Sequence, residues 1–394
     1  MRFKEFIRKW DKKTFDDLAY YKKGPFGSAL TKSIFVHKSN TTVKVYEQQN
    51  AINKNWKLER YFITKDYYNK MKSFTIRGGD IIVSCAGTIG EIYELPQEAE
   101  TGIINQALMK IEVQKTINKE FFKVLFSNMI SSFSQRYSNG SAIKNIPPFA
   151  DLKSYVVYLP CKEEQDKIAS FLTLIDRRID TQSKIIEDLE LFKNMISYKV
   201  LYDDKTACYK PLSSFSELKN GYAFKSNTYS SKGDYQIVTI ANVSGNRYID
   251  LTSSNKILNI PNDIQSHQIL KINDILISLT GNVGRVSYCN KLNCLLNQRV
   301  GLLSIKNKDL IEYIFQCIHN KIFEKTMISR GQGVAQLNIG KYDVESFEIP
   351  VYSQDRMNTI SEVLKLIDFK IIKEKDILEL YKKQKAYLLK NMFI

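Results

Sequence analysis

The chain repeats one plan twice, the second copy displaced from the first by about 190 residues, and any fold it adopts must satisfy that duplication. KKGPFGS, Lys22 to Ser28, faces KNGYAFKS, Lys219 to Ser226. IRGGDIIVSCAGTIGEIY, Ile76 to Tyr93, faces LKINDILISLTGNVGRVSY, Leu270 to Tyr288, which aligns Asp80 with Asp274, Gly87 with Gly281 and Gly90 with Gly284. Each reads as a buried strand followed by a tight glycine turn. Further on, Asn105-Gln106 matches Asn297-Gln298, and GSAIKNI, Gly140 to Ile146, matches GVAQLNI, Gly333 to Ile339.

Between the last two landmarks each half carries a helical stretch, 118 to 137 and 308 to 330, running on to a glycine. Each then closes on a short strand ending in proline, SYVVYLP at 154 to 160 and VESFEIP at 344 to 350. Short β-branched and aromatic runs alternating with one main helix predict a β-rich α+β domain in each half.

Two heptad seams complete the pattern. Steps of 4 and 3 give Ile168, Leu172, Ile175, Ile179, Gln182, Ile186, Leu189, Lys193, Ile196 and Val200, then Ile360, Leu364, Ile367, Ile371, Glu374, Leu378, Tyr381, Lys385, Leu388 and Met392. Polar residues interrupt both seams at the fifth and eighth places, and one shift of 192 aligns them. A rival alignment, LELFK at 189 to 193 on LELYK at 378 to 382, differs by three residues. Matching helices running opposite ways predict an antiparallel coiled coil and a pseudo-two-fold repeat. A helix of roughly 40 residues is a spacer of about 60 Å, more than one turn of DNA. The expected division is a domain over 1–160, a helical spacer over 161–203, a second domain over 204–350 and a second spacer over 351–394.

Formal net charge is +16. Residues 1–162 carry +11 and 203–352 carry +4, against −2 for 163–202 and +3 for 353–394, so a polyanionic partner belongs chiefly on the two domains. Six cysteines lie scattered without a CxxC pair and there are three histidines, which predicts reduced thiols in a cytoplasmic protein and no metal site. No apolar stretch approaches the roughly 18 to 20 residues of a membrane span, and MRFKEFIRKWDKK lacks the apolar core of a signal peptide, so no membrane partner is expected.

The segments LPCKEEQDKIASFLTLIDRRI at 159 to 179 and IPVYSQDRMNTISEVLKLIDFKI at 349 to 371, supported by GPFGS and AGTIG, resemble specificity subunits of type I restriction-modification enzymes over essentially the whole chain. The second spacer departs from the pattern: VYSQDRMNT replaces CKEEQDK and is two residues longer. The resemblance implies two target-recognition domains joined by helical spacers, which read the two parts of an asymmetric, interrupted site on double-stranded DNA. It also implies a non-catalytic chain that directs adenine methylation or restriction by its partners. Those partners would be two methyltransferase subunits bringing S-adenosylmethionine, and restriction/translocase subunits using ATP and Mg; no cofactor is expected in this chain.

No chemistry of its own is legible. NIPPF, Asn145 to Phe149, comes near the D/N-P-P-Y/F motif of amine methylation, but Ile146 stands where a polar acceptor is needed. A Walker loop is absent, and acidic residues do not cluster with a lysine as a nuclease metal site requires. GTIG and GNVG are too short for a phosphate cradle and read as turns.

Domains that read different half-sites should differ where they touch bases, so residues shared by both halves point to scaffold or phosphate contact. Candidate DNA contacts are Arg136, Ser138, Asn139 and Lys144 against Arg330, Gln332 and Gln336, flanking a shared glycine. Others are Lys54, Lys57 and Arg60 with Trp56 interleaved, Arg247 and Tyr248 in the less basic counterpart, and Arg299 beside Asn297-Gln298. Two other readings remain open: a coiled-coil assembly adaptor that reads no DNA, and a self-sufficient DNA methyltransferase.

Overall fold

The computed structural model describes residues 2–137, 146, 148–203, 207–331 and 337–392. By its contacts the chain divides into two compact units, Met1–Asp180 with Glu379–Ile394, and Thr181–Leu378. Each unit therefore takes part of both long helices together with one β-rich half.

In the first unit the strands are β1 (Asp11–Thr14), β2 (Ala19–Lys23), β3 (Thr42–Tyr46), β4 (Tyr61–Thr64), β5 (Thr75–Ile76), β6 (Ile81–Ser84), β7 (Ile92–Glu94), β8 (Gly102–Ile104), β9 (Leu108–Val113) and β10 (Val156–Leu159). They form sheets in the order β2-β9-β6-β7 and β4-β3-β8-β5, and β1 pairs with β10. The second unit holds β11 (Cys208–Pro211), β12 (Ser216–Asn220), β13 (Tyr235–Val238), β14 (Lys256–Ile257), β15 (Ile269–Leu270), β16 (Ile275–Ser278), β17 (Val286–Tyr288), β18 (Cys294–Leu296), β19 (Val300–Ile305) and β20 (Glu348–Val351). Its sheets run β12-β19-β16-β17 and β14-β13-β18-β15, with β11 on β20, so every strand keeps its place with its number raised by ten. The parallel pairs correspond too, β3 with β8 and β13 with β18. Duplication of sequence is duplication of topology.

The longer helices are α1 (Lys119–Tyr137), α2 (Lys162–Leu201), α3 (Ile311–Ile318), α4 (Lys321–Arg330) and α5 (Gln354–Met392). The predicted single helix over 308 to 330 is in fact two, α3 and α4. The Asn320 side chain accepts from the amides of Ile322 and Phe323 and so caps a new helix, while its Nδ2 donates to the carbonyls of Gln316 and Cys317, closing the old one. The shared glycines let the main helices approach the strand turns. A Cβ on Gly90 (φ +81°) would lie 2.5 Å from Ile130 Cγ2, and one on Gly284 (φ +76°) 2.7 Å from Met327 Cβ.

Within the first unit Ile168, Leu172, Ile175 and Ile179 of α2 share a core with Leu388 and Met392 of α5, and Asp176 is ion-paired with Lys385. Within the second, Ile360, Leu364 and Ile367 of α5 share a core with Ile196 and Val200 of α2, and Lys193 Nζ lies 2.5 Å from Asp368 Oδ1. Gln182 donates to the backbone carbonyl of Glu374 at 3.2 Å and to its carboxylate, and Glu190 meets Lys375 at 2.7 Å. Numbers rise along one helix as they fall along the other, so the pairing is antiparallel in each unit. Ile186 and Ile371 are buried, and Leu189, Leu378 and Tyr381 half-buried, along the same seams. The shift of 192 is the register that the structure obeys. It carries Lys193 onto Lys385 and Asp368 onto Asp176, and both lysines pair with the corresponding aspartate. Under the rival shift Lys193 would match Lys382, whose carboxylate partner is Glu379 on its own helix.

The seam predicts a sharp contrast between residues two apart. Leu364 is fully buried and Leu366 is 64% exposed. Leu364→Ala should cost about 2–5 kcal/mol and Leu366→Ala no more than about 0.5, read as shifts of the urea unfolding midpoint.

Candidate nucleic-acid interface

Three motifs distant in sequence meet at one corner of each β-rich half. In the first, Gly24 presses on the turn after β8, where a Cβ on it would lie 1.8 Å from the Asn105 carbonyl oxygen. The Asn105 side-chain oxygen accepts from the Ala107 amide at 3.0 Å, Cys85 N donates to Ala107 O at 2.8 Å, and Ile146 N donates to Cys85 O at 3.0 Å. The second half repeats the chain of contacts. A Cβ on Gly221 would lie 2.2 Å from the Asn297 carbonyl, Arg299 N donates to Asn297 Oδ1 at 3.2 Å, Leu279 N to Arg299 O at 3.0 Å, and Ile339 N to Leu279 O at 2.9 Å. Both asparagines thus spend their amide oxygen on their own turn, as scaffold, and leave the next side chains, Gln106, Gln298 and Arg299, exposed.

The basic-aromatic segment of the first half is built around Lys44, whose side chain is fully buried. Its ammonium donates to the Trp56 carbonyl and lies 3.1 Å from Glu100 Oε1 and 4.8 Å from the Tyr46 ring. Buried Asn50 accepts from Glu47 N at 2.8 Å and donates to the carbonyls of Asn55 and Leu58, which shapes the loop carrying Trp56. Lys54 is exposed and holds Glu91 at 2.9 Å and the Ile92 carbonyl at 2.5 Å at the surface. Lys57 and Arg60 are exposed, their cationic groups 5.8 Å from the Trp56 ring and 4.8 Å from the Tyr61 ring.

Arg247 departs from the expectation that it meets DNA. Its side chain is only 6% exposed, held by Glu312 at 2.5 Å and Asp368 at 3.1 Å, with its guanidinium 5.1–5.8 Å from the rings of Tyr248, Tyr288, Phe315 and Phe369. Tyr248 itself is half-buried, a wall of that cage. Around the same Asp368 carboxylate, Gln316 donates at 2.8 Å and Lys193 at 2.5 Å; Lys193 also donates to His319 Nδ1 at 2.9 Å, and His319 Nε2 to the Gly245 carbonyl at 2.8 Å. Burial and the facing Lys193 ammonium hold the imidazole below its usual pKa, so it stays neutral. Burial pushes the Asp368 carboxyl up, but Lys193 and its other partners outweigh this and hold it below the ordinary carboxylate range. The cluster is a structural fastener.

The comparisons with known proteins agree with one another. A family model described as the type I restriction modification DNA specificity domain matches residues 7–191 and again 206–383. The chain belongs to that family. It is 23% identical over 350 residues to the type I restriction enzyme MjaVIII specificity subunit of Methanocaldococcus jannaschii, covering 81% of this chain and 80% of the relative. It is 26% identical over 281 residues to the same organism's putative type I restriction enzyme MjaX specificity subunit, covering 66% and 61%. In fold it is similar to the crystal structure of the type I restriction-modification system S subunit from M. genitalium, with a TM-score of 0.57, 17% identity and coverage of 100% and 99%. A second solved structure, titled as the structural basis underlying complex assembly and conformational transition of the type I R-M system, gives a TM-score of 0.59 at 14% identity, covering 98% of each chain.

The two β-rich halves are therefore the recognition halves of a DNA-specificity protein, and the sequence candidates sort by what their side chains touch. Lys57, Arg60, Trp56 and Arg299 present solvent-facing or half-buried surface. Arg330 is exposed but donates to the Asp343 carbonyl and to Ser346 Oγ at 3.1 Å. Ser138, Asn139, Lys144, Gln332 and Gln336 lie outside the described residues; Arg136 falls in α1, with its side chain outside the description. Sequence reasoning missed buried Asn50 and Asn242, which play one role: Thr239 N donates to Asn242 Oδ1 at 2.8 Å as Glu47 N does to Asn50. The signal was present, since each asparagine stands six residues before an aromatic, Trp56 or Tyr248. Also missed were buried Ser84 and Ser278, whose hydroxyls donate to the carbonyls of Thr88 and Asn282 and brace both glycine turns. Among the described residues no group of three or more His, Cys, Asp and Glu is placed to hold a metal, and no helix is long and apolar enough to cross a membrane.

These placements separate two kinds of arginine and lysine. Lys57→Ala and Arg60→Ala should each flatten the log-log salt dependence of DNA binding by about 0.9, the loss of one phosphate contact, with the melting temperature held. Arg247→Ala should leave that slope unchanged and cost about 3–5 kcal/mol of stability by stranding Asp368 and Glu312.

Proposed function

We propose that each half reads one part of an interrupted, asymmetric site on double-stranded DNA, and that the chain thereby directs adenine methylation or restriction carried out by partner subunits. One observation supports this above others: the corner that joins Gly24 or Gly221 to the Asn turn has the same backbone contacts and a shared exposed glutamine in both halves, yet presents Phe26 and Ala107 in the first against Ala223 and Arg299 in the second. A frame held constant under variable contacts is what two readers of unlike half-sites need. Exchanging residues 1–160 for the matching segment of a relative, followed by methylome sequencing with the cognate partners, should change one half of the methylated site and preserve the other. A change in both halves would overturn independent reading.

The partners are two methyltransferase subunits, which bring S-adenosylmethionine and flip the target adenine, and restriction/translocase subunits, which bring ATP and Mg. Support for two comes from the helices. Leu174 and Leu366, related by the shift of 192, are both exposed; so are Met195 and Tyr387, related in the same way. By the register of the Asp176–Lys385 pair Leu174 falls opposite Tyr387, and by that of Lys193–Asp368 Leu366 falls opposite Met195. Each unit therefore offers one such apolar patch, and exposed patches of this kind mark docking sites. Leu174→Asp or Leu366→Asp alone should leave a complex lighter by one methyltransferase in native mass measurements, and the double variant should bind none. A full complement in the double variant would remove these patches from the assembly. The adaptor reading leaves the variable corners without a purpose. The methyltransferase reading rests on NIPPF, of which Asn145 and Pro147 lie outside the described residues. Catalysis belongs to the partners, and the cytoplasm is the compartment where they meet DNA.

A further inference from the structure

The corner motif behaves differently in its two copies. In the second half Phe224 turns inward, half-buried against Ile237, Ile257 and Leu295, with its ring 4.9 Å from that of Tyr222. The first half is one residue shorter between its glycine and its serine, GPFGS against GYAFKS, and Phe26 points outward, 88% exposed. Nothing about the local backbone is strained: Phe26 sits at φ −58° and ψ 147°. The loop beneath it is firm. Pro25 is buried, Gly24 N donates to Leu108 O at 2.9 Å, Ala29 N to Phe26 O at 2.9 Å, and the Tyr67 hydroxyl to Ala29 O at 2.6 Å. On its far side a Cβ built on Gly27 meets nothing within 4 Å. A rigid loop thus holds a large aromatic ring out into water, with Lys23 exposed three residues before it and exposed Gln106 on the turn that Gly24 touches.

We propose that Phe26 is a wedge that enters the base stack of the half-site read by residues 1–160, and that the second half has no such wedge. The inference rests on the reading of the chain as a DNA-recognition protein. Three features select duplex DNA as what covers this ring. Residues 1–162 carry a charge of +11, against +4 for the second recognition segment. The ring stands on the same frame as exposed Gln106 and near exposed Lys23, polar groups able to meet a duplex beside it. It is also of the apolar kind that unstacks a base step at a cost of a few kcal/mol, recovered in closer contact with the bent duplex. The corresponding exposed position of the second half is Ala223, and its corner offers Arg299 instead, so the two halves meet their half-sites by different physics.

The test uses the full chain assembled with its methyltransferase partners and a duplex carrying its methylated site, with 2-aminopurine placed in turn at each position other than the methylated base. The wild-type complex should raise fluorescence at one step within the first half-site. Phe26→Ala should abolish that signal and weaken binding about 5- to 150-fold, the range of a lost base–aromatic contact, while Phe26→Trp should keep both. Because the side chain is exposed, melting of Phe26→Ala should match wild type. Unchanged fluorescence in Phe26→Ala would overturn the wedge. So would loss of a methyltransferase subunit from that variant's complex, which would make the ring a protein contact. A wild-type complex that binds no duplex would sink the DNA-reading function itself, whereas tight binding without the Phe26-dependent signal sinks only the wedge.

Discussion

Charges placed inside a helix seam must find partners, and that requirement fixes the register of the two long helices. A buried ammonium without a counter-charge costs several kcal/mol, more than most single apolar contacts return. Lys193 is 7% exposed and is accepted only because Asp368 lies opposite; Gln182 and Glu374, each 7% exposed, satisfy one another. Apolar residues alone would tolerate a slip of three residues, nearly one turn. The polar interruptions do not, because a slip separates every one of these pairs. Register specified by a few buried polar groups is a familiar use of such residues.

Asp368 then extends the same constraint from the helices to the recognition half of its own unit. Its second oxygen is taken by Arg247 and Gln316, so the loop that carries Tyr248 and the end of α3 are tied to α5 through one carboxylate. The repeat-related Asp176 pairs with Lys385, but both are partly exposed, at 44% and 31% of their side chains. Asn55 stands where the second half has Arg247, each five residues on from its buried asparagine, Asn50 or Asn242. The duplicated frame has therefore kept its topology while burying this one lysine–aspartate pair in only one copy.

Much of this was legible in the sequence, for identifiable reasons. The period-two strands, the glycine turns and the heptad seams are local patterns, and a repeat at fixed offset lets each copy check the other. The residues misread are those whose environment is made by distant segments. Arg247 looks like a surface base-contact candidate until Glu312 and Asp368, far along the chain, close around it. The break between α3 and α4 depends on Asn320 acting as both the stop of one helix and the cap of the next, which periodicity does not reveal. The Glu91 partner of Lys54, just before β7, is likewise supplied by the fold and not by the local sequence. Phe26 and Phe224 are the phenylalanines of the two matching segments, yet a single-residue difference in loop length accompanies one ring turned outward and the other turned into a core.

The physics of the corner explains how one frame can host unlike readers. Positions that define it are intolerant: at Gly24 and Gly221 a side chain would overlap the carbonyl of the Asn turn, and the amide oxygens of Asn105 and Asn297 are committed to their own loops. Positions that face outward from it carry almost no folding energy, since substitutions at exposed sites away from caps and strained backbone usually shift stability by no more than about 0.5 kcal/mol. Stability and recognition are thus stored in different atoms of the same few residues, backbone and glycine contacts for the first, protruding side chains for the second. A change of side chain at Phe26, Gln106, Gln298 or Arg299 can alter the surface that is presented without moving the frame that presents it.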